Sequence, residues 1–153
     1  MNNLQLHRWL QQNKQRVADT IIRNSYAERH EQHSAFFMAG LPGVGKTEYT
    51  KNFIKATGLK IVRLDMDEIA TMVPEYTPKT ADKYRGIASA ILSRTVDLTL
   101  KRELDFIMDG TFGSQGAVND LERAVKHGYQ VKIIYLFQDP KIAWNFVKAR
   151  EKI

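Results

Sequence analysis

Apolar residues change their spacing from segment to segment along this chain, and the spacing separates helices from strands. Between residues 4 and about 32, Leu6, Leu10, Val17 and Ile21 share one face with Trp9 and Ile22, while Gln11, Gln12, Lys14, Gln15 and Arg16 fill the other. That is an amphipathic helix, with Asn24-Ser25 as a candidate break into two. Its expected role is packing on a sheet or its helices, with docking of a partner as the alternative. Ala35-Phe36-Phe37-Met38-Ala39 is a continuous apolar run and reads as a buried strand. A helix is expected from Thr47 to Ala56, with Gly58 as its C-cap. Lys60 to Leu64 reads as a second strand, ending at Asp65-Met66-Asp67, and Glu68 to Val73 as a short helical turn stopped by Pro74. Residues 75–79 read as loop. A long helix from Thr80 to Arg102 carries Ile87, Ile91, Leu92, Val96 and Leu100. Leu104 to Met108 is a third strand, ending at Asp109-Gly110-Thr111, and a glycine-bearing loop follows from Phe112 to Gly116. Ala117 to His127 is helical, and Tyr129 to Phe137 is the most strand-like run of all. Pro140 opens a last helix, since proline suits a first turn.

One stretch changes this picture from topology to chemistry. Gly40-Leu41-Pro42-Gly43-Val44-Gly45-Lys46-Thr47 fits G-x-x-x-x-G-K-[ST] at every fixed position. It lies between the first strand and the helix after it, as a P-loop must. Glycines let the backbone wrap with its N–H groups turned toward phosphate oxygens. Lys46 is expected to reach the β- and γ-phosphates of ATP, and the Thr47 hydroxyl to ligate Mg²⁺. Strands alternating with helices imply right-handed crossovers and a parallel sheet. The expected fold is therefore α/β: a P-loop NTPase-like three-layer sandwich with a mainly parallel four-stranded sheet. Residues 1–33 would form an N-terminal helical extension and residues 34–153 the kinase core.

Composition narrows the setting. At 153 residues the chain is one domain by size. It has no cysteine, which excludes disulfides and thiolate metal sites and suits a reducing, cytoplasmic compartment. No apolar run approaches the roughly 20 residues that span a bilayer, and Met1 to Trp9 lacks a signal-peptide core. No membrane partner is expected. The net charge of +6 is spread along the chain, which favours a polyphosphate substrate over nucleic acid.

In such sheets ligands bind beyond the carboxyl ends of the strands, where the polar residues of this chain collect. Asp67 could accept the proton of a substrate hydroxyl attacking the γ-phosphate; otherwise it caps the Glu68 turn. Asp65 closes the strand end, orients the loop or touches substrate. Asp109 follows an apolar strand as a Walker-B-type acid does, and could hold Mg²⁺ through water; its other reading is a turn residue before Gly110. Thr111 could donate to a substrate oxygen. Arg150, on the final helix with Lys148 and Lys152, could stabilise charge on the transferring phosphoryl group or belong to a solvated basic face. Lys79, Lys83 and Arg85 could hold substrate phosphates or simply be solvated.

With the P-loop, Leu64-Asp65-Met66-Asp67 and Asp109-Gly110-Thr111 in place, the chain resembles the zeta toxin family of P-loop kinases over roughly residues 34–150. Gly128-Tyr129 and Asp139-Pro140-Lys141-Ile142 also look similar. The resemblance implies phosphorylation of a sugar hydroxyl of UDP-N-acetylglucosamine by ATP and Mg²⁺, and an antitoxin protein as partner. It implies Asp67 as general base, Lys46 and Thr47 at the nucleotide, and Thr111 near the sugar nucleotide. The family usually has glutamate where this chain has Asp109, and a helix glutamate where Ser93 stands. It carries two arginines after the fourth strand, of which Arg150 matches the first. With Arg150 three residues from the end of this sequence (153 − 150), the expectation is a chain that binds nucleotide but transfers phosphate slowly on its own.

Overall fold

The structure, a computed structural model, describes residues 1–151, with the side chains of residues 150 and 151 outside the description. Its framework is a four-stranded sheet in the order β2-β3-β1-β4, built from β1 (Ser34–Ala39), β2 (Val62–Asp65), β3 (Phe106–Asp109) and β4 (Gln130–Tyr135). All three pairings are parallel. β1 lies inside the sheet and is buried from Ala35 to Ala39, as expected of a strand covered on both faces.

Helices occupy both faces, giving three layers. On one side Phe37, Val62, Leu64, Phe106 and Met108 pack with α3 (Met66–Thr71), α4 (Ala81–Lys101) and α5 (Gln115–Lys126). Alternate residues of the same strands, Phe36, Met38 and Ile107, meet Phe53 and Ile54 of α2 (Lys46–Thr57) on the other side. α1 (Asn3–Asn24) lies along α4 and adds Leu6, Leu10, Val17, Ile21 and Ile22 to the larger core. Within α4, Thr95 and Thr99 are buried and donate to the carbonyls of Ile91 and Thr95, at 2.8 and 2.7 Å. Both buried threonine hydroxyls are thus paired within the helix.

The first helix departs from the sequence reading. It ends at Asn24, and no second helix follows before β1. The Ser25 hydroxyl donates to the Ile22 carbonyl at 2.6 Å and accepts from the Ala27 N–H at 3.2 Å. Tyr26 then takes a left-handed φ of 50°. These local bonds compete with helix continuation. Residues 26–33 run irregularly to the sheet, with the Glu28 N–H bonded to the Lys60 carbonyl. Pro78–Thr80, read as loop into helix, forms a short 3-10 turn before α4.

β2 and β3 begin two residues later than read and end one later, so that Asp65 and Asp109 are their last residues and pair across the sheet. Asp105, read as strand, instead lends its side chain to the start of β1, accepting from the Ser34 N–H at 2.8 Å. β4 is a strand as read but shorter, and its outer positions are exposed, Ile133 at 55% and Tyr135 at 65%. Alternating apolar residues identify a strand; they do not say whether a second layer covers it. α6 (Pro140–Glu151) completes the described chain.

Candidate active site

The P-loop leaves β1 at Gly40 and enters α2 at Lys46. Two glycines are dictated by space as well as by φ. A Cβ on Gly40 (φ 144°) would lie 2.5 Å from the Leu136 carbonyl oxygen, and one on Gly43 (φ 81°) would lie 2.3 Å from the Ala143 carbonyl oxygen. The loop is thus pressed between the segment after β4 and α6. Lys46 is buried, its Nζ donating to the carbonyls of Gly40 and Leu41 at 2.9 and 2.7 Å. The lysine lies folded back over its own loop, its charge already at the centre of the cradle.

A cavity of about 970 Å³ opens beside it, and Lys46, Thr47, Asp65, Asp67, Asp109 and Thr111 all line it. Strand ends 44 residues apart in sequence (109 − 65) therefore meet the P-loop in one cleft. Pro42, Gly43, Gly45, Thr77, Pro78, Lys79, Gly110 and Val147 complete the wall. Lys83 and Arg85 stand elsewhere: Lys83 Nζ donates to the Met1 carbonyl at 2.6 Å, and Arg85 pairs with Asp82 at 3.2 Å, both exposed. Of that basic group, Lys79 is the member in the cleft wall. The Arg150 side chain, and Lys152, lie outside the described residues.

The acids have distinct environments. Asp65 is the N-cap of α3, its Oδ1 accepting the N–H groups of Asp67 and Glu68 at 2.9 and 3.2 Å. The capping role weighed for Asp67 in the sequence therefore belongs to Asp65. Asp67 stands in the first turn of α3 with its side chain exposed to the cleft. Asp109 is buried, and burial, then the charge of Asp65, pushes its carboxyl above the usual range. Arg63 opposes both: its Nη1 donates to Asp65 Oδ2 at 2.9 Å and to Asp109 Oδ2 at 2.8 Å, and its Nη2 pairs with Glu68. Sequence reading passed over Arg63. The available signal was a cation two residues before Asp65 in a strand, hence on the same face.

After Asp109, Phe112 takes a left-handed φ of 55°, and its ring stands edge-on to Phe37 with centroids 5.8 Å apart. This anchors the turn that carries Thr111. A second cavity of about 470 Å³ shares Asp109, Gly110 and Thr111 with the first and runs between α4 and α5 past Ser89, Ser93, Ser114, Asn119, Asp120 and Arg123. Its lining is mixed: these polar groups face an apolar side that includes Met38, Leu64, Met66, Leu92, Met108 and Phe112. Asp120 is pushed up by burial, against the pull of Arg123 at 3.0 Å.

Among the described residues no group of three or more His, Asp or Glu forms a self-sufficient metal cage. Thr47 and Asp109 instead offer two hard oxygen donors in one cleft. That donor set fits Mg²⁺, which takes few protein ligands and fills the rest with water and substrate phosphate. Among the described residues no helix is long and apolar enough to cross a membrane.

Comparison with known proteins agrees with this architecture. The chain is similar to a structure from the PezAT chromosomal toxin–antitoxin system of Streptococcus pneumoniae, at 17% identity and a TM-score of 0.78, over 99% of this chain and 64% of that one. It is also similar to a chain of the Pnkp1/Rnl/Hen1 complex, at 20% identity and a TM-score of 0.54, over 79% of this chain and 40% of that one. The chain thus spans less than two thirds of either structure's length. At these identities the likeness shows the fold. A search of the curated proteins found no match. The zeta toxin family profile matches residues 18–153, the greater part of the sequence, and the chain accordingly belongs to the zeta toxin family, with its P-loop kinase-like fold.

Proposed function

We propose that the protein is an ATP- and Mg²⁺-dependent phosphotransferase that phosphorylates a sugar hydroxyl of UDP-N-acetylglucosamine. The observation that carries this reading is the single cleft lined by Lys46, Thr47, Asp67 and Asp109. A cradle for phosphates, two oxygen donors for a cation and an exposed carboxylate suited to a general base share one space.

The P-loop backbone and Lys46 bind the nucleotide phosphates, and α2 directs its N-terminus at them. On binding, Lys46 would exchange its bonds to the Gly40 and Leu41 carbonyls for phosphate oxygens. Thr47 and Asp109 would hold Mg²⁺, whose charge offsets that of the phosphates when bound. Asp67 takes the proton of the acceptor hydroxyl as the oxygen attacks the γ-phosphorus and the bond to the ADP oxygen breaks. Thr111, at the junction of the two cavities, orients the acceptor. The second cavity, with its serines, Asn119 and Asp120, suits a polyhydroxylated acceptor such as a sugar. Asp65 serves through α3, whose cap it forms. Residues 1–33, with α1 as their helical part, act as an extension of the core 34–153, and an antitoxin protein is the expected partner.

The test is phosphate transfer from ATP to a panel of sugars, nucleotide-sugars and 5′-hydroxyl oligonucleotides. Preferential labelling of UDP-N-acetylglucosamine supports the reading. Labelling of another acceptor class alone would refute the substrate and keep the kinase. Nucleotide binding with no transfer to any acceptor would leave a binding module in place of an enzyme.

A further inference from the structure

Arg63 is a charged residue that these roles leave unused, yet its contacts reach two acids at the strand ends and a third in α3. In β2 the buried Val62 and Leu64 face the larger core, and strand alternation turns Arg63 to the opposite face with Asp65. Only 14% of its side chain is exposed. Nη1 is shared between Asp65 Oδ2 at 2.9 Å and Asp109 Oδ2 at 2.8 Å, and Nη2 pairs with Glu68.

These acids serve different parts of the cleft. Asp109 lines it together with Thr47. Asp65 uses its second oxygen to cap α3 through the Asp67 and Glu68 N–H groups. One guanidinium nitrogen therefore joins the carboxylate facing the P-loop to the cap that aims Asp67. The register sets Asp65 directly beside Asp109 on neighbouring strands. Two carboxylates so placed repel unless a cation stands between them. A planar fork can hold several acids in a fixed arrangement, whereas a lysine ammonium acts as a point charge.

We propose that Arg63 is a positioning residue: by holding Asp65 and Asp109 through one nitrogen, it fixes the metal-side acid relative to the helix that carries Asp67. The inference rests on the nucleotide–Mg²⁺ reading of the cleft. It requires that removing Arg63 disturb the cation's site while leaving the phosphate cradle, which β1 and α2 build, intact.

The experiment is calorimetric titration of ADP into the wild type, Arg63→Met and Arg63→Lys, over a series of Mg²⁺ concentrations including none, with thermal unfolding to establish folding. Metal-free ADP should bind all three proteins alike. The Mg²⁺ concentration giving half of the metal-dependent gain in ADP affinity should rise at least about tenfold in Arg63→Met, as for other residues that orient metal ligands. Arg63→Lys should fall between. Where transfer is measurable, kcat should drop while KM for ATP holds. An unchanged or tighter Mg²⁺ response in folded Arg63→Met would overturn the proposal. So would an equal loss of metal-free ADP binding, which would mark Arg63 as merely structural. If Arg63→Met does not fold, a wild-type Mg²⁺ response in Arg63→Lys overturns it equally. Failure of the wild type to bind ADP at all would instead remove the P-loop reading beneath it.

Discussion

The two halves of the cleft are built by opposite means. The P-loop is one contiguous stretch held by backbone: glycine conformations, the close approach of the Leu136 and Ala143 carbonyls, and a lysine bonded to its own loop. The acidic half is assembled by side chains from two strands and a helix, with Arg63 bonded to Asp65, Glu68 and Asp109. A site held by backbone is sensitive to shape, because an added Cβ has nowhere to go. A site held by paired charges is sensitive to charge and geometry together, because each partner leaves another acid uncompensated. The two halves should therefore fail differently.

The largest effect should come from Lys46, where the backbone half meets the chemistry. Lys46→Ala keeps the glycine conformations of the loop but removes its charge and the bonds to the Gly40 and Leu41 carbonyls, so ATP binding should weaken and transfer fall below detection. Nucleotide titration with Mg²⁺ and single-turnover transfer check it. Equal affinity and equal rate in both proteins would dissolve the distinction between the halves, since the cradle would then not be where the phosphates sit.

Asp67→Asn should come next. The cap on α3 belongs to Asp65, so asparagine in the following turn should leave the helix in place and remove only a proton acceptor. Turnover should fall by about 10²–10⁴-fold with ATP affinity retained. Should turnover persist in a folded variant, Asp67 does not act as the base, and the acidic half contributes only through Asp109.

Gly43→Ala tests the backbone half by shape alone. The new methyl would meet the Ala143 carbonyl oxygen at 2.3 Å and sit at a φ of 81°. A strained backbone position costs on the order of 1–3 kcal/mol, so nucleotide affinity should fall by roughly one to two powers of ten at 1.4 kcal/mol per tenfold. Unchanged ADP binding would mean that α6 yields easily, and that the loop is less tightly enclosed than its contacts suggest.

This division also explains what sequence could show. The P-loop was legible as a motif because its residue types are contiguous, and it lies between β1 and α2 as read. The strand-end acids were legible as candidates, because parallel α/β sheets gather ligands at those ends. Arg63 was legible at most as a same-face neighbour of Asp65, since its contact with Asp109 depends on a pairing between β2 and β3 that no local pattern encodes. The capping role was weighed only for Asp67, and it falls to Asp65 because β2 ends one residue later than read. The first helix was expected to reach about residue 32 with a candidate break at Asn24-Ser25; the break is where it stops, because the Ser25 hydroxyl and the left-handed Tyr26 end it locally and no second helix follows. Lys83 and Arg85 looked like phosphate ligands by charge alone, and their partners are Met1 and Asp82.

The smallest effect should come from the far end of the sheet, and it serves as the control for both halves. Tyr129 is buried just before β4, and its hydroxyl reaches the Leu104 and Thr99 carbonyls at 2.9 and 3.3 Å. Its ring packs on Phe106, with centroids 5.7 Å apart. Tyr129→Phe keeps the ring and removes the donor, so the Leu104 carbonyl loses its 2.9 Å bond while the Thr99 carbonyl keeps the Leu104 N–H at 3.1 Å. Stability should fall by about 1–2 kcal/mol, with ADP affinity and its Mg²⁺ dependence unchanged, since Tyr129 is remote from the cleft lining. Burial pushes the Tyr129 hydroxyl well above its ordinary value of 10.0. The unfolded chain therefore releases this proton first as pH rises. The stability it contributes is complete below about pH 10 and is lost progressively above it. Thermal unfolding between neutral and strongly alkaline pH should show that loss in the wild type and a smaller one in Tyr129→Phe. If the two proteins lose stability in parallel, the alkaline transition belongs to other groups. If Tyr129→Phe instead altered nucleotide binding, the two ends of the strands would be coupled, and the division between a backbone-held and a charge-held half would no longer account for the site.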